Sequence, residues 1–259
     1  MTVTTEPAPI YFDPDLVNPA PTGLYAATSW VDENEPNRWL TAGVTIRPHN
    51  YGGESAFGVW GGTWCAAPAD PDVKKTGERP DMDPDPFDPI VVWAEDNCDL
   101  TKGSRAEVLT RAQQNLRLLE QNAVETEFAA RLLADAGATT GVHSIVEAVS
   151  VLEAKLAATN TLGLIHASPQ WAAYAAEAQL IVRNGTVLKT PMGHLWVFGG
   201  GYIDSLEDTL VATSPTFGWR GTPAVRETTF FEWNRFYAIA ERPVVVGYEK
   251  AVHAALITS

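Results

Sequence analysis

"SRAEVLTRAQQNLRLLEQNAVETEFAARLLADAG", Ser104 to Gly137, is the longest stretch of this 259-residue chain that keeps a helical period. Leu109, Ala112, Leu116, Leu119 and Ala123 fall three and four apart, and Val124, Phe128 and Leu132 carry a shifted apolar stripe onward. "SRAE" has the pattern of a capping box, with the Ser104 hydroxyl accepting from a first-turn amide and Glu107 reaching back, and Gly137 is a natural stop. About 32 residues at ~1.5 Å each predict a helix of roughly 48 Å, long enough to cross a whole domain.

The residues before this helix are of another kind. Thirteen of the eighteen prolines and five of the nine tryptophans precede residue 101, and no helical period survives there. Short strand-like runs are expected at Trp39–Ile46, Phe57–Cys65 and Ile90–Trp93, between turn-rich pieces. An extended, proline-rich segment with this many aromatics cannot build its own core, so it is expected to pack on another surface.

After the long helix, a second capping box, "SIVE" at Ser144–Glu147, opens a helix to about Ala158. "GLIHA" reads as a buried strand. Ser168-Pro169 starts an alanine-rich helix expected to run to Asn184-Gly185. "TVLK" and "HLWVF" are strands joined by the tight turn "TPMG", and the remainder is mostly strand.

Net charge is −14, and its distribution is uneven. Residues 1–100 carry 17 acidic and 5 basic side chains against 15 and 13 in residues 101–259. Such a surface disfavours tight nucleic-acid binding, although a container that must not stick to its contents could be acidic for that reason. No membrane span or signal peptide is apparent, so a soluble protein made in a cytoplasm is expected. Cys65 and Cys98 read as free thiols.

Candidate sites fall away one by one. "GHLWVFGGGY", Gly193–Tyr202, has Asp204 where a dinucleotide loop needs its third glycine, so its glycines are expected to serve a turn or close packing. Asp81, Asp83 and Asp85 alternate like a calcium loop, but Pro86 and Val92 stand where glycine and a bidentate glutamate belong. "GESAFG" has one residue too many for a nucleophile elbow. The histidines are scattered, and an enzyme reading requires His166, Ser168 and His194 to converge in one pocket. No catalytic, cofactor-binding or metal-binding residue is assigned.

The order of parts, together with "RWLTAGVTIRPHNYGG", "NAVETEFAARLLADAG", "LGLIHASPQWAAYAAE", "LKTPMGHLWVFGGGY" and "YAIAERPVVVGYEKAVHAAL", resembles the major capsid proteins of tailed phages, the Hong Kong 97 type. Similar phrases occur in capsid proteins of phages infecting actinobacteria. The resemblance implies an α+β Hong Kong 97-like fold. Its parts are an N-terminal arm (1–38), an extended loop with flanking strands (39–103), a spine helix with part of a peripheral domain (104–143), an axial α/β domain (144–203) and peripheral strands (204–259).

It further implies a virion shell protein, assembled in the host cytoplasm through pentamers and hexamers, whose extended loop lies on a neighbouring subunit. Expected partners are copies of itself, a separate scaffolding protein, a portal and, as an option, decoration proteins; DNA is enclosed without sequence-specific binding. No covalent crosslink and no cofactor are expected. Subunit contacts are expected at Trp30, Trp39, Trp60, Trp64, Pro191 and Met192. Deleting Met1–Val31 is expected to leave a folded unit that assembles poorly. Alternatives are an encapsulin-type compartment, another virion subunit such as a tail or connector protein, and a cytosolic α/β enzyme.

Overall fold

A computed structural model describes residues 10–32, 38–65, 67 and 74–258. The expected long helix is present as α3, Lys102–Ala136, and 35 residues make it about 52 Å long. Its buried face includes Val108, Ala112, Leu116, Glu120, Val124, Phe128 and Leu132, an unbroken four-residue spacing, with Glu125 and Ala129 beside it, while Leu119 and Ala123, expected in the stripe, are exposed. The first capping box does not form. The Ser104 hydroxyl meets Thr101 (2.5 Å) and donates to Asp99 (3.0 Å), whose carboxylate also accepts the Thr101 N–H (2.9 Å), so the helix starts two residues earlier.

Two sheets lie along α3. The first comprises β1 (Thr28–Asp32), β2 (Ile90–Asp99), β9 (Thr216–Arg220), β10 (Ala224–Phe230) and β11 (Arg235–Tyr248), ordered β1-β9-β11-β10 with β2 also paired to β11. Phe236, Ala238 and Ala240 of β11 pack on Val108, Ala112 and Leu116 near the start of α3. The second contains β3 (Thr139–Val142), β4 (Leu164–Ala167), β5 (Val182–Asn184), β6 (Val187–Lys189), β7 (Leu195–Phe198), β8 (Thr209–Thr213) and β12 (Ala251–Ile257), in the order β3-β12-β8-β4-β7-β6-β5.

This second sheet is covered on both faces, and the two-residue alternation of its strands shows it. Leu164, Val197, Val211 and Ala254 face α3, whereas Ile165, Trp196, Phe198, Leu210, Ala212 and Ala255 face α4 (Ile145–Ala158) and α5 (Trp171–Glu177). The serine half of the second capping box holds, Ser144 Oγ accepting the Glu147 N–H (3.2 Å), while the Glu147 carboxylate reaches one residue beyond the cap to the His143 N–H (2.9 Å). α5 is shorter than expected, because Gln179 turns to positive φ (59°) and the Leu180 carbonyl then accepts the Trp196 indole N–H (3.0 Å).

The stretch 204–259, expected as one group of strands, is divided. β8 and β12 enter the second sheet, and β9, β10 and β11 the first. Only two residues separate β11 from β12, so the chain passes directly from the first sheet into the second, where β12 pairs with the distant β3 and β8 and is covered on both faces.

In "GHLWVFGGGY", Gly193 turns the chain at φ 94°, and Gly199, Gly200 and Gly201 serve close packing. These three bring the chain after β7 onto α3, where a Cβ on Gly201 would stand 2.1 Å from the Asn122 carbonyl oxygen. Gly201→Ala is therefore expected to destabilise the unassembled chain by about 1–3 kcal/mol. Gly141→Ala, where a Cβ meets nothing within 4 Å, should change little. Denaturant unfolding of both variants checks this, and equal midpoints would contradict it.

Candidate assembly surfaces

The N-terminal segment enters the body at Gly23. Gly23 has φ 93°, and a Cβ there would collide with Gln121 and Glu125 of α3. Leu24 follows, fully buried, and opens α1 (Leu24–Ala27), which leads directly into β1. β1 pairs in parallel with β9, and the Thr28 and Thr216 hydroxyls meet at 2.9 Å.

Two buried glutamates of α3 fix this entry. Glu125, with no exposed surface, accepts the Leu24 N–H (2.8 Å) on one oxygen and the Gly201 N–H (2.9 Å) on the other. Burial pushes its carboxyl above the usual range, opposed by the amide bonds and by Gln121. One turn away, Glu120 accepts from the Tyr25 hydroxyl (2.8 Å) and from Arg242 of β11 (3.1 Å). Burial first, and then the Glu120 charge, push the Tyr25 phenol far above its ordinary value, so it stays a donor at neutral pH. The Tyr25 carbonyl in turn accepts the Trp30 indole N–H (2.9 Å), and Arg220 lies over the Trp30 ring.

Before Gly23 the arm only rests on the helix. Gln114 donates to the Val17 carbonyl (2.7 Å), Arg117 to the Asn18 side chain and Gln121 to the Thr22 carbonyl (2.8 Å). These contacts advance along α3 in the direction of the arm. Earlier still, Ile10, Tyr11 and Phe12 are bare, Ile10 at 95% exposure.

The second bare region is the tip of the 44–87 excursion. Its base is closed where Val44 and Phe87 exchange backbone hydrogen bonds (3.0 and 2.9 Å). Arg131 of α3 clamps that base by stacking on Phe87 (4.4 Å) and donating to the Pro86 (3.0 Å) and Asp85 (3.1 Å) carbonyls. The two legs touch again where Glu78 N–H donates to the Ser55 carbonyl (3.2 Å), and beyond it Phe57, Val59 and Trp64 stand in the open. The strands expected at Trp39–Ile46 and Phe57–Cys65 do not form. Trp39 sits in a single helical turn, α2 (Trp39–Ala42), Val44 makes one isolated bridge, and "FGVWGGTWC" has no partner strand among the described residues.

The six tryptophan, proline and methionine positions expected at subunit contacts thus separate. Trp39, 6% exposed, belongs to its own molecule's core, and Trp30 is half-buried beneath Arg220. Trp60, partly covered by Lys75, and Trp64, 93% exposed, lie at the loop tip. Pro191 and Met192 form the exposed corner between β6 and β7. Sequence reading missed a further bare cluster, Phe230, Phe231 and Trp233 at the β10–β11 turn, although "FFEW" between two strands signals it.

The two histidines of the enzyme alternative have separate partners, and Ser168 is buried with its Oγ unpaired among the described residues. Fully buried His166 is bonded through Nδ1 to the Tyr202 hydroxyl (3.1 Å) and through Nε2 to Thr213 (2.9 Å), and burial lowers its pKa to about 3. His194 Nδ1 instead accepts the Gly163 N–H (3.1 Å). Both are buried, and His166 has both ring nitrogens paired. Among the described residues no cluster of three or more potential metal ligands occurs, and no helix is long and apolar enough to cross a membrane.

No protein-family model and no curated protein sequence matches the chain. Solved structures do. The chain is similar to one from Microbacterium phage Oxtober96 (TM-score 0.53, 10% identity), with 99% of this chain and 96% of that one covered. It is similar to the capsid of an empty GTA particle (TM-score 0.56, 10% identity, 98% and 94% covered). It is also similar to the mature capsid of bacteriophage PhiM1 (TM-score 0.53, 12% identity, 99% and 93% covered). The chain has the Hong Kong 97-like capsid fold.

Two outcomes follow from this geometry. Trp39→Ala should destabilise the unassembled chain by about 3–5 kcal/mol, while Trp64→Ala should leave its denaturation midpoint unmoved; the reverse ranking would contradict the placement of the two rings. Glu125 has a folded-state pKa above its unfolded value, so the stability linked to its protonation is present below the ordinary carboxylate pKa and is lost as pH rises through the folded value. Denaturation midpoints measured against pH should show this decline in the native chain and lack it in Glu125→Gln.

Proposed function

We propose that this chain is a major capsid protein, a structural subunit that self-assembles through pentamers and hexamers into an icosahedral head around phage DNA. The observation that supports it most is the correspondence, over almost the full length, with phage and GTA capsid chains that carry the same fold. The bare arm and loop tip agree with it, since large apolar side chains displayed on extensions away from the body need a partner surface.

The finer reading follows the same line. The protein resides in the virion, is assembled in the host cytoplasm with a separate scaffolding protein and a portal, and meets DNA by enclosure rather than by sequence. Trp60, Trp64, Pro191 and Met192 are the contact residues retained, and Phe231 and Trp233 are added. Each durable subunit contact should bury on the order of 1,200–2,000 Å² in total.

The truncation that separates folding from assembly ends at Leu16 rather than at Val31. Residues 24–31 supply a core leucine and a sheet strand, so their removal would damage the fold itself. Expressed with its scaffold, the full chain should give closed particles by negative-stain microscopy. The chain lacking residues 1–16 should keep the same denaturation midpoint and fail to close. A full chain that stays monomeric under all conditions would overturn the proposal, and closed shells from the truncation would overturn the role of the arm.

A further inference from the structure

Asn184-Gly185 is the one place in this sequence where glycine follows asparagine. Expected to close a helix, it instead lies at the turn of the β5–β6 hairpin. Asn184 pairs with Val187, which leaves Gly185 and Thr186 as a two-residue loop, and Gly185 supplies the positive φ (62°) with which such a loop follows the twist of its strands. Every residue from 182 to 187 is exposed. β5 is the outermost strand of the second sheet and pairs with β6 alone, and β6 is joined to β7 through a single residue pair, Lys189 with Leu195. A three-residue edge strand with no buried side chain opens at little cost.

An asparagine carboxamide carbon can be attacked by the backbone nitrogen of the next residue, closing a five-membered ring. A side chain on that next residue crowds the ring, and glycine has none. Among the described residues neither the Asn184 carboxamide nor the Gly185 N–H has a hydrogen-bond partner, so both reacting groups are free. Other asparagines are guarded. Asn50 donates to the Glu249 carboxylate through its backbone N–H (2.9 Å) and its side chain (2.6 Å), and Asn97 donates to Glu95 (2.9 Å). Asn18 precedes a proline, which has no N–H to lose, and Asn160 precedes a β-branched threonine.

We propose that Asn184 is a site of spontaneous deamidation in the folded chain, driven by the hairpin turn and needing no enzyme. The Gly185 backbone nitrogen gives its proton to water and bonds to Asn184 Cγ; the bond from Cγ to the carboxamide nitrogen breaks, and ammonia leaves with a proton returned from water. A second water then opens the succinimide at either carbonyl, giving aspartate or isoaspartate. In sum one water is consumed and one ammonia released, with no change of oxidation state. Either product adds a negative charge beside Arg183 in a chain already at −14. Isoaspartate also routes the main chain through the former side chain, which breaks the Asn184–Val187 pair. The hairpin runs through β6 to the Pro191–Met192 corner, so an aged subunit differs in charge and shape next to that corner. The modification goes beyond the shell reading and does not depend on it.

The test incubates the full unassembled chain at neutral and mildly alkaline pH, folded and unfolded in guanidinium chloride, and follows each asparagine by peptide mass spectrometry. Asn184 should convert in the folded chain within about tenfold of its rate in denaturant, because the hairpin opens readily. Its conversion should quicken as pH rises and yield isoaspartate as well as aspartate, whereas Asn50 and Asn97 should convert only when unfolded. On isoelectric focusing the folded chain should develop a more acidic band, and Asn184→Gln, with the same denaturation midpoint, should not develop it. An Asn184 peptide that converts in denaturant but stays intact in the folded chain, as Asn50 is expected to, would overturn the proposal. So would an acidic band that Asn184→Gln develops at the native rate.

Discussion

One buried carboxylate joins the parts of this molecule. Glu125 lies in the middle of the spine helix with no exposed surface, and its two oxygens take amides from opposite directions, Leu24 at the arm's entry and Gly201 after β7. A carboxylate in that position is costly to bury unless its acceptor sites are filled, so it demands that both chains approach. Both can approach only because glycines line the route: Gly23 at positive φ on one side, and Gly199 through Gly201 on the other. The arm, the spine and the second sheet are fastened at one point.

That fastening divides the first third of the chain into two physical regimes. From Gly23 to β1 the chain is core, with Leu24 buried and the Tyr25–Glu120–Arg242 bonds closing over it. Ahead of Gly23, three helix side chains hold the arm by backbone carbonyls and one asparagine, contacts that set direction and bury little. The excursion from Val44 to Phe87 repeats the scheme, with a clamped base at Arg131 and a bare tip at Trp64. Rigid roots with apolar ends suit a subunit that must be soluble alone and adhesive in company, since the ordering entropy of the root is met within the monomer.

Much of this was legible in the sequence, and the misses have physical reasons. The long helix, the α4 cap, the buried "LIHA" strand and the close-packing glycines all follow from local periodicity and turn chemistry. The helix start was misplaced because Asp99, outside the box, competes for Ser104. Trp30 and Trp39 were grouped with Trp60 and Trp64 because an extended proline-rich context gives no periodicity to separate buried rings from bare ones. Glu120 and Glu125 could not be recognised as core residues, since their partners lie about a hundred positions earlier or later. The split of the closing strands between two sheets is likewise a property of long-range pairing.

The central claim is that the chain's own body covers the arm root while only other copies cover the arm end and loop tip. Amide hydrogen exchange on the unassembled chain and on closed particles measures this directly. Residues 24–31 should be protected in both states, and residues 10–17 and 57–64 should gain protection only on assembly. Strong protection of 57–64 in the lone chain, or no gain at 10–17 within particles, would contradict the account.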